Sequence, residues 1–210
     1  MIDGQRDARV KLLDAALTVI RTRGYCATTV DDLCRAAAVT KGAFFHHFKT
    51  KEELGAAAAD HWSAVTSGLF QSAPYHQHGD PLERVLGYLE FRKMLIRGTL
   101  PEFTCLVGTM VQETFQSSPA IRAACERAIV DHAAVVETDI AAAMRHYRVE
   151  ADWTAKSLAL HIQVVIQGAF ILAKAQQSRA VALDSIDHLI RYVKSLFPIR
   201  ARRNKRLRHG

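Results

Sequence analysis

The chain has 210 residues, of which 49% are apolar and five are proline, and its formal net charge is +7. A chain of this length can bury a substantial core, and so little proline suits an all-helical body. The motifs of serine hydrolases, phosphate-binding loops, dinucleotide-binding folds and zinc proteases do not occur in it, so no catalytic motif supports an enzyme.

The positive charge is concentrated at the C-terminal end. Six of the 28 basic residues lie between residues 200 and 210, where no acidic residue occurs. The remainder of the chain is almost neutral, so affinity for nucleic acid depends on where charges lie rather than on their sum. Two interpretations of this basic tail, residues 199–210, stay open: a solubilising extension that follows Pro198, or an auxiliary segment that binds phosphates.

Two helices and a turn are predicted near the N-terminus. Residues 9–23 carry apolar side chains at helical spacing and are followed by Gly24, which suits a helix C-terminus. Thr29 can cap a second helix of only about two turns, whose apolar side includes Val30 and Leu33. The chain is then expected to turn near residue 38.

A third short helix is predicted from residue 41 to residue 48, with Thr40 as its N-cap. Phe44 and Phe48 lie one turn apart and anchor this helix on an apolar platform. A short helix held in this way has the size and shape that fit the major groove of DNA. The residues left to face outward are Thr40, Lys41, Gly42, Ala43, His46 and His47.

This stretch resembles the helix-turn-helix signature of the TetR family of bacterial transcriptional regulators. The matching residues are Leu33, Ala37, Val39, Thr40, Gly42, Phe44, Phe48, Lys51 and Leu54. Two positions depart from the signature, because Ala38 replaces the usual glycine and Phe45 the usual tyrosine. An alanine at positive φ costs about 1 kcal/mol, and Phe45 cannot donate the hydrogen bond that the family's tyrosine sends to a phosphate.

The resemblance implies an all-α fold with an N-terminal three-helix DNA-binding head and a C-terminal helical bundle. We divide the chain into the head at residues 1–54, an effector-binding and dimerisation domain at 55–198, and the tail at 199–210. The implied partner is a palindromic double-stranded operator, and Lys51 is the most dependable phosphate contact. The expected contacts with bases or phosphates are Thr28, Thr29, Thr40, Lys41, Gly42, Ala43, Phe45, His46, His47 and Lys51.

Six more helices are predicted after the head's first three, which makes about nine in total. They are expected at residues 51–70, 81–97, 102–115, 119–144, 153–175 and 184–197. The last two, from Trp153 to Ala175 and from Asp184 to Phe197, carry more apolar surface than the core of a single chain needs to bury. We therefore expect a homodimer in which these helices pair with their symmetry mates as a four-helix bundle, which is also how the family dimerises.

An effector pocket among the body helices follows from the resemblance, since a ligand there tilts the fourth helix and separates the heads from the operator. The effector is expected to be a mostly apolar or aromatic small molecule, with His161 or Gln167 as a polar handle. The alternative is that these side chains form ordinary core. The candidate residues are Trp62, Tyr88, Phe91, Met94, Leu95, Phe103, Cys105, Leu106, Met110, His161 and Gln167.

Cysteine and histidine residues offer two other sensing chemistries. Cys105 lies near a predicted helix N-terminus, where the dipole favours a reactive thiolate, although a buried inert thiol is the alternative. His76 and His78 lie in a predicted loop and suggest a metal sensor only weakly. We expect no metal and no cofactor.

The sequence thus predicts a DNA-binding transcriptional regulator, a repressor released from its operator by a small ligand. A regulator that senses through Cys105 is the alternative, and a nonspecific DNA-coating protein or an all-helical enzyme are remoter ones. The apolar stretch 157–173 contains His161 and two glutamines, which favours a buried helix over a membrane span. With no N-terminal apolar signal segment and no paired cysteine motif, we expect a cytoplasmic protein.

Overall fold

The computed structural model describes residues 7–197, and these residues are all-α, without a β-strand. The predicted fold class is confirmed. A 3-10 helix, Pro74–Gln77, lies in the predicted loop before α5, and the basic tail lies outside the described residues. The ten α-helices of the described part are α1 (Ala8–Arg23), α2 (Val30–Ala37), α3 (Lys41–His47), α4 (Lys51–Gln71), α5 (Pro81–Met94), α6 (Leu100–Phe103), α7 (Leu106–Thr114), α8 (Pro119–Tyr147), α9 (Ala155–Gln176) and α10 (Ala180–Leu196).

Helices α2 and α3 begin at the predicted caps. Thr29 and Asp32 form a reciprocal capping box at α2, and the Thr40 hydroxyl accepts a hydrogen bond from the Ala43 N–H at 3.1 Å. The Thr50 hydroxyl accepts one from the Glu53 N–H at 3.0 Å. Each cap satisfies a backbone donor that has no partner within its own helix, so these short helices start at defined residues.

The prediction of a single helix at 102–115 is wrong, because the chain forms two helices there. Thr99 and Glu102 make a capping box that starts α6 two residues early. Thr104 and Cys105 then have extended backbone conformations, and the Cys105 sulfur caps α7 by accepting a hydrogen bond from the Gly108 N–H at 3.4 Å. The described part therefore has ten α-helices rather than about nine.

Two apolar cores organise these helices. The core of the head joins α1–α4 to α7 and the first half of α8, and Ile20, Phe44 and Ile121 are fully buried in it. The core of the body joins the end of α4 to α5, α8, α9 and α10. Because α4 is continuous from one core to the other, a shift of its body end also moves its head end.

Ala38 adopts the left-handed conformation that the sequence suggests, with φ +52° and ψ +46°. We expect Ala38→Gly to stabilise the protein by about 0.5–1 kcal/mol, because glycine has no Cβ to oppose this backbone while its freer unfolded state offsets part of the gain. Urea unfolding measures the change. Ala36→Gly, at an exposed helical position two residues earlier, is the control and should destabilise by a similar amount. Equal losses in both variants would contradict the strain at Ala38.

Among the described residues, α9 is the one helix long and apolar enough to meet the criteria for a membrane span. Its inner side, which includes Ile162, Ile166 and Phe170, is buried in the core of the body. Its outer side also exposes apolar residues. The composition of α9 is thus explained on one side by packing within this chain.

Candidate DNA-binding face and effector cavity

The predicted recognition helix, α3, has one buried side and one open side. Phe44 and Phe48 are almost completely buried, and their ring centroids lie 5.9 Å apart. Lys41, Phe45 and His46 are exposed, Phe45 to 56%. The aromatic platform therefore holds the helix from behind and leaves its tip free, as the sequence predicts.

Gly42 is not required by the fold. It has an ordinary helical φ, and the nearest atom to a Cβ built on it would be the Thr40 hydroxyl oxygen at 3.7 Å, an ordinary contact. This Cβ would have no other neighbour within 4 Å among the described residues. The missing Cβ instead leaves open space on the face that is suited to approach a nucleic acid.

Lys41 is poised at the tip of α3 by an acidic neighbour on α2. Its ammonium lies 2.8 Å from an Asp31 carboxylate oxygen, and the hydrogen bond and charge of Asp31 raise the pKa of Lys41. Both side chains are more than half exposed, so this pair contributes little stability. Lys41 can therefore exchange Asp31 for a phosphate or a guanine edge at small cost.

Three predicted DNA contacts have other roles in the structure. The Thr28 hydroxyl is buried and donates to the Gly24 carbonyl at 2.6 Å, so the prediction that it contacts a phosphate is wrong. The Lys51 ammonium donates to the carbonyls of Tyr25 and Thr28 at 3.1 and 2.9 Å, which makes it a brace between α4 and the loop before α2. His47 turns back toward Asp7 at 3.5 Å instead of facing outward.

A cavity of about 500 Å³ lies in the body beside α4, α5, α6 and α9. Of the residues predicted to line it, Trp62, Leu95, Phe103 and Cys105 do so. The structure brings further side chains to its wall that the sequence interpretation does not include: Thr66, Leu69, Phe70, Arg92, Arg97 and Phe170.

The other predicted pocket residues lie elsewhere. Leu106 and Met110 are fully buried in the core of the head. Phe91 and Met94 border a separate surface recess beside the 3-10 helix. His161 is exposed on α9, with its ring 5.5 Å from that of Tyr192, so the prediction of a polar handle at His161 is wrong. Helical spacing alone does not tell which side of an apolar helix meets a cavity.

Gln167 lies at a smaller recess of about 250 Å³, together with Cys105 and Lys174. Its carboxamide oxygen would be 2.1 Å from a Cβ at position 108, so a side chain there would require the Gln167 carboxamide to move. The Lys174 ammonium donates to the Thr109 hydroxyl at 2.7 Å, and burial lowers its pKa. Gln167 thus lies next to the main cavity rather than on its wall.

A polar network enters the core of the body behind the main cavity. The Tyr88 hydroxyl accepts hydrogen bonds from Arg92 Nε at 3.0 Å and from Gln163 Nε2 at 3.1 Å. The same hydroxyl donates a hydrogen bond to His132 Nε2 at 3.0 Å. His132 Nε2 also accepts a hydrogen bond from Arg92 Nη2 at 3.3 Å. Since two donors face Nε2, the His132 ring is neutral and carries its proton on Nδ1. Tyr88 is therefore part of this network, not of the cavity wall.

Burial, with the positive charge of Arg92 next in importance, lowers the pKa of His132 to about 3. As the pH falls below about 6.5, the unfolded chain takes up a proton at this residue while the folded protein does not. The stability contributed by the neutral ring is present above that pH and is lost as the pH falls toward 3.

We therefore expect His132→Gln to flatten the loss of stability between pH 6.5 and pH 4. The slope removed is at most about 1.4 kcal/mol per pH unit. Urea unfolding across this range measures it. His188→Gln is the matched control at an exposed histidine and should leave the profile unchanged. A profile that is equally steep in His132→Gln would contradict a neutral buried ring.

Two family models match the chain over the elements just described. Residues 12–58, which include most of α1 and all of α2 and α3, match the model of bacterial regulatory proteins of the tetR family. Residues 81–188, about half of the chain, match the C-terminal domain of LmrA/YxaF-like transcriptional regulators. The chain belongs to the TetR family. Members of this family are DNA-binding transcriptional regulators and not enzymes, as the sequence predicts.

Curated relatives match over shorter stretches. The HTH-type transcriptional repressor KstR2 of Rhodococcus jostii is 43% identical over 51 residues, which are 24% of this chain and 25% of that protein. The transcriptional regulator AcuR of Cereibacter sphaeroides is 28% identical over 106 residues, which are 50% of this chain and 48% of that protein. The chain thus spans about half or less of the length of these relatives.

A solved structure matches nearly the whole chain. The reduced form of NemR from E. coli has a TM-score of 0.78 at 20% identity, over 92% of this chain and 98% of that one. At this identity the match establishes the fold. The TetR-like layout therefore extends through the body, where the sequence analysis rests on length and helical pattern alone.

Metal and cysteine chemistry have little support in the described part of this TetR-family chain. No group of three or more metal-ligating side chains occurs in residues 7–197. His76 instead approaches the Phe70 carbonyl, with Nε2 at 3.0 Å. The Cys105 sulfur is occupied as the N-cap of α7, and Cys34 and Cys125 are buried in the core of the head.

Proposed function

We propose that this protein is a sequence-specific transcriptional repressor that binds a palindromic operator as a homodimer and leaves it when a small molecule enters the body cavity. The observation that carries the proposal is the tip of α3, which projects from a buried aromatic platform with Lys41, Gly42 and His46 open to solvent. We place this activity in the cytoplasm, where a regulator meets its DNA.

The outer side of α9 supports the homodimer. Leu160, Val164, Ile171 and Leu172 are exposed on this side, at successive spacings of four, seven and one residues, and Val164 is exposed to 67%. A Cβ at Gly168, in the middle of this stripe, would have no neighbour within 4 Å. A continuous apolar stripe of this kind marks an association surface, and a twofold pairing of α9 and α10 covers it with its own copy.

Two copies of the head are needed for useful specificity. One short recognition helix contacts only a few base pairs, whereas two heads about 34–36 Å apart reach successive major grooves on one face of the duplex. The operator is then a palindrome whose half-sites follow the twofold axis of the dimer.

Helix α4 provides the physical link between effector and DNA. Its first half packs in the core of the head, while Trp62, Thr66 and Phe70 in its second half line the cavity. Near the junction, a Cβ at Gly55 would come within 2.8 Å of Tyr25 and 2.9 Å of Ile121, so α4 is tightly held there by both neighbours. A ligand that displaces the second half therefore rotates the head.

The sensor proposed here is the cavity rather than Cys105. Cys105 lies on the cavity wall, but its sulfur already caps α7, and modifying it would remove that hydrogen bond. A ligand of the cavity instead contacts α4 directly. Ligand binding in the cavity is therefore coupled more directly to the position of the DNA-binding heads.

The test is to measure affinity for the DNA that flanks the protein's own gene and for random duplex, at several salt concentrations. We expect a specificity ratio of at least about 1,000. Lys41→Ala should weaken operator binding by about ten-fold or more, whereas Arg145→Ala, at the opposite end of α8 from the head, should not. Equal affinity for both DNAs would indicate a coating protein, and binding to neither would overturn the proposal.

A further inference from the structure

One cation on the cavity wall has no anionic partner. Arg92 is partly buried, and its hydrogen bonds go to the neutral Tyr88 hydroxyl and the neutral His132 ring. Its guanidinium also lies over the Phe70 ring, 4.7 Å from the centroid. Among residues 7–197, no carboxylate forms an ion pair with it. A guanidinium withdrawn from water without a counter-charge is costly, so this position favours an incoming anion.

The remaining charges on the wall do not neutralise Arg92. Arg97 adds a second guanidinium. Glu102 is the one acidic residue on this wall, and one of its carboxylate oxygens, Oε2, accepts hydrogen bonds from the backbone N–H and the hydroxyl of Thr99 in the capping box of α6. Those hydrogen bonds lower the pKa of Glu102 and keep it engaged at the helix start. The wall therefore carries two cations, Arg92 and Arg97, and one anion, Glu102, whose hydrogen bonds go to Thr99.

The network behind Arg92 holds its guanidinium in place. Arg92 uses Nε for Tyr88 and Nη2 for His132, while Gln163 secures the same Tyr88 hydroxyl from α9. A guanidinium has five N–H donors, so three remain free for a ligand. A fixed arginine with free donors suits the two oxygens of a carboxylate better than a single acceptor.

Four aromatic side chains also lie on the wall, together with the aliphatic Leu69, Leu95 and Ile96. Trp62, Phe70, Phe103 and Phe170 line the cavity around Arg92. Their rings offer flat apolar surfaces in a volume of about 500 Å³, which falls in the range of sites for small organic molecules. The cavity thus combines one fixed cationic group with an aromatic enclosure.

We propose that the effector is an aromatic carboxylate, with its carboxylate on Arg92 and its ring among the four aromatic side chains. This inference rests on the proposed function, because it names the ligand class of the same cavity. It keeps the aromatic character of the mostly apolar or aromatic effector that the sequence suggests, and it adds a carboxylate with Arg92 as the polar contact. Arg92 is the residue that selects for charge, and the aromatic wall selects for shape.

Isothermal titration calorimetry of the full-length protein with 2-naphthoate and with 2-naphthamide, which share a ring system and differ in charge, tests this directly. We expect the acid to bind about ten-fold or more tightly than the amide. Arg92→Gln should abolish that preference, and Arg145→Gln, an exposed arginine on α8, should preserve it. Arg92→Lys should lower the affinity for the acid several-fold and leave the affinity for the amide unchanged, since lysine keeps the charge but lacks the planar guanidinium that binds both carboxylate oxygens.

Equal binding of acid and amide, a preference that survives in Arg92→Gln, or no binding of either probe at about 1 mM would overturn the inference. If Arg92→Gln does not fold, unchanged affinity for the acid in Arg92→Lys would overturn it equally. Operator binding by ligand-free protein is measured in parallel. Loss of operator binding with an intact acid preference would refute the proposed function and not the ligand class.

Discussion

Val164→Arg is expected to convert the dimer to a monomer and to lower operator affinity by at least about 100-fold. Val164 has the most exposed of the large apolar side chains on α9, and it lies one helical turn before Gly168 on the stripe that a second copy would cover. An arginine there places two like charges opposite each other across a twofold axis, in a surface that otherwise loses its water. Without the linked second head, each half-site binds alone. Analytical ultracentrifugation measures the mass, and a DNA titration measures the affinity.

The control for this experiment is Val130→Arg, which changes an exposed valine on α8, outside α9 and α10. It should leave both mass and operator affinity unchanged. A Val164→Arg protein that remains a dimer would show that α9 is not the pairing surface. A monomer that retains full operator affinity would show that duplication of the head is unnecessary.

Phe44→Ala is expected to destabilise the protein by about 3–5 kcal/mol and to abolish operator binding. The Phe44 ring is completely buried, against Phe48 and the core of the head, and its removal leaves a cavity that this small core cannot fill. Urea unfolding followed by circular dichroism measures the loss.

The adjacent residue supplies a matched control for that change. Phe45→Ala removes the same side chain from an exposed position, and it should cost less than about 1 kcal/mol of stability. Similar losses in the two variants would mean that Phe44 does not anchor α3. A large loss in Phe45→Ala alone would reverse the assignment of the inner and outer sides of the helix.

The head could be predicted from the sequence because its signals are local. Thr29, Thr40 and Thr50 each lie three residues before the backbone N–H that they cap, and Phe44 and Phe48 repeat at one helical turn. Such patterns need no knowledge of distant contacts. The positive φ at Ala38 likewise follows from the turn between two closely spaced helices.

The cavity could not be predicted in the same way, because contacts between distant segments create it. Helix α9 is apolar on both sides, so spacing alone does not tell that Gln163 faces inward while His161 faces outward. Arg92 belongs to the cavity only because Tyr88 and His132, 44 residues apart, hold it there. The direction of the Lys51 side chain is likewise set by distant residues, because its ammonium donates to the carbonyls of Tyr25 and Thr28, which lie 26 and 23 residues earlier.

The most direct test of the central claim is to insert base pairs between the two half-sites of the operator and to measure affinity. If two copies of α3 read successive major grooves on one face of the duplex, an insertion of about five base pairs rotates one half-site to the opposite face. Affinity should then fall to that of a single half-site. Undiminished affinity for this operator would contradict a dimer that presents its two recognition helices at a fixed separation.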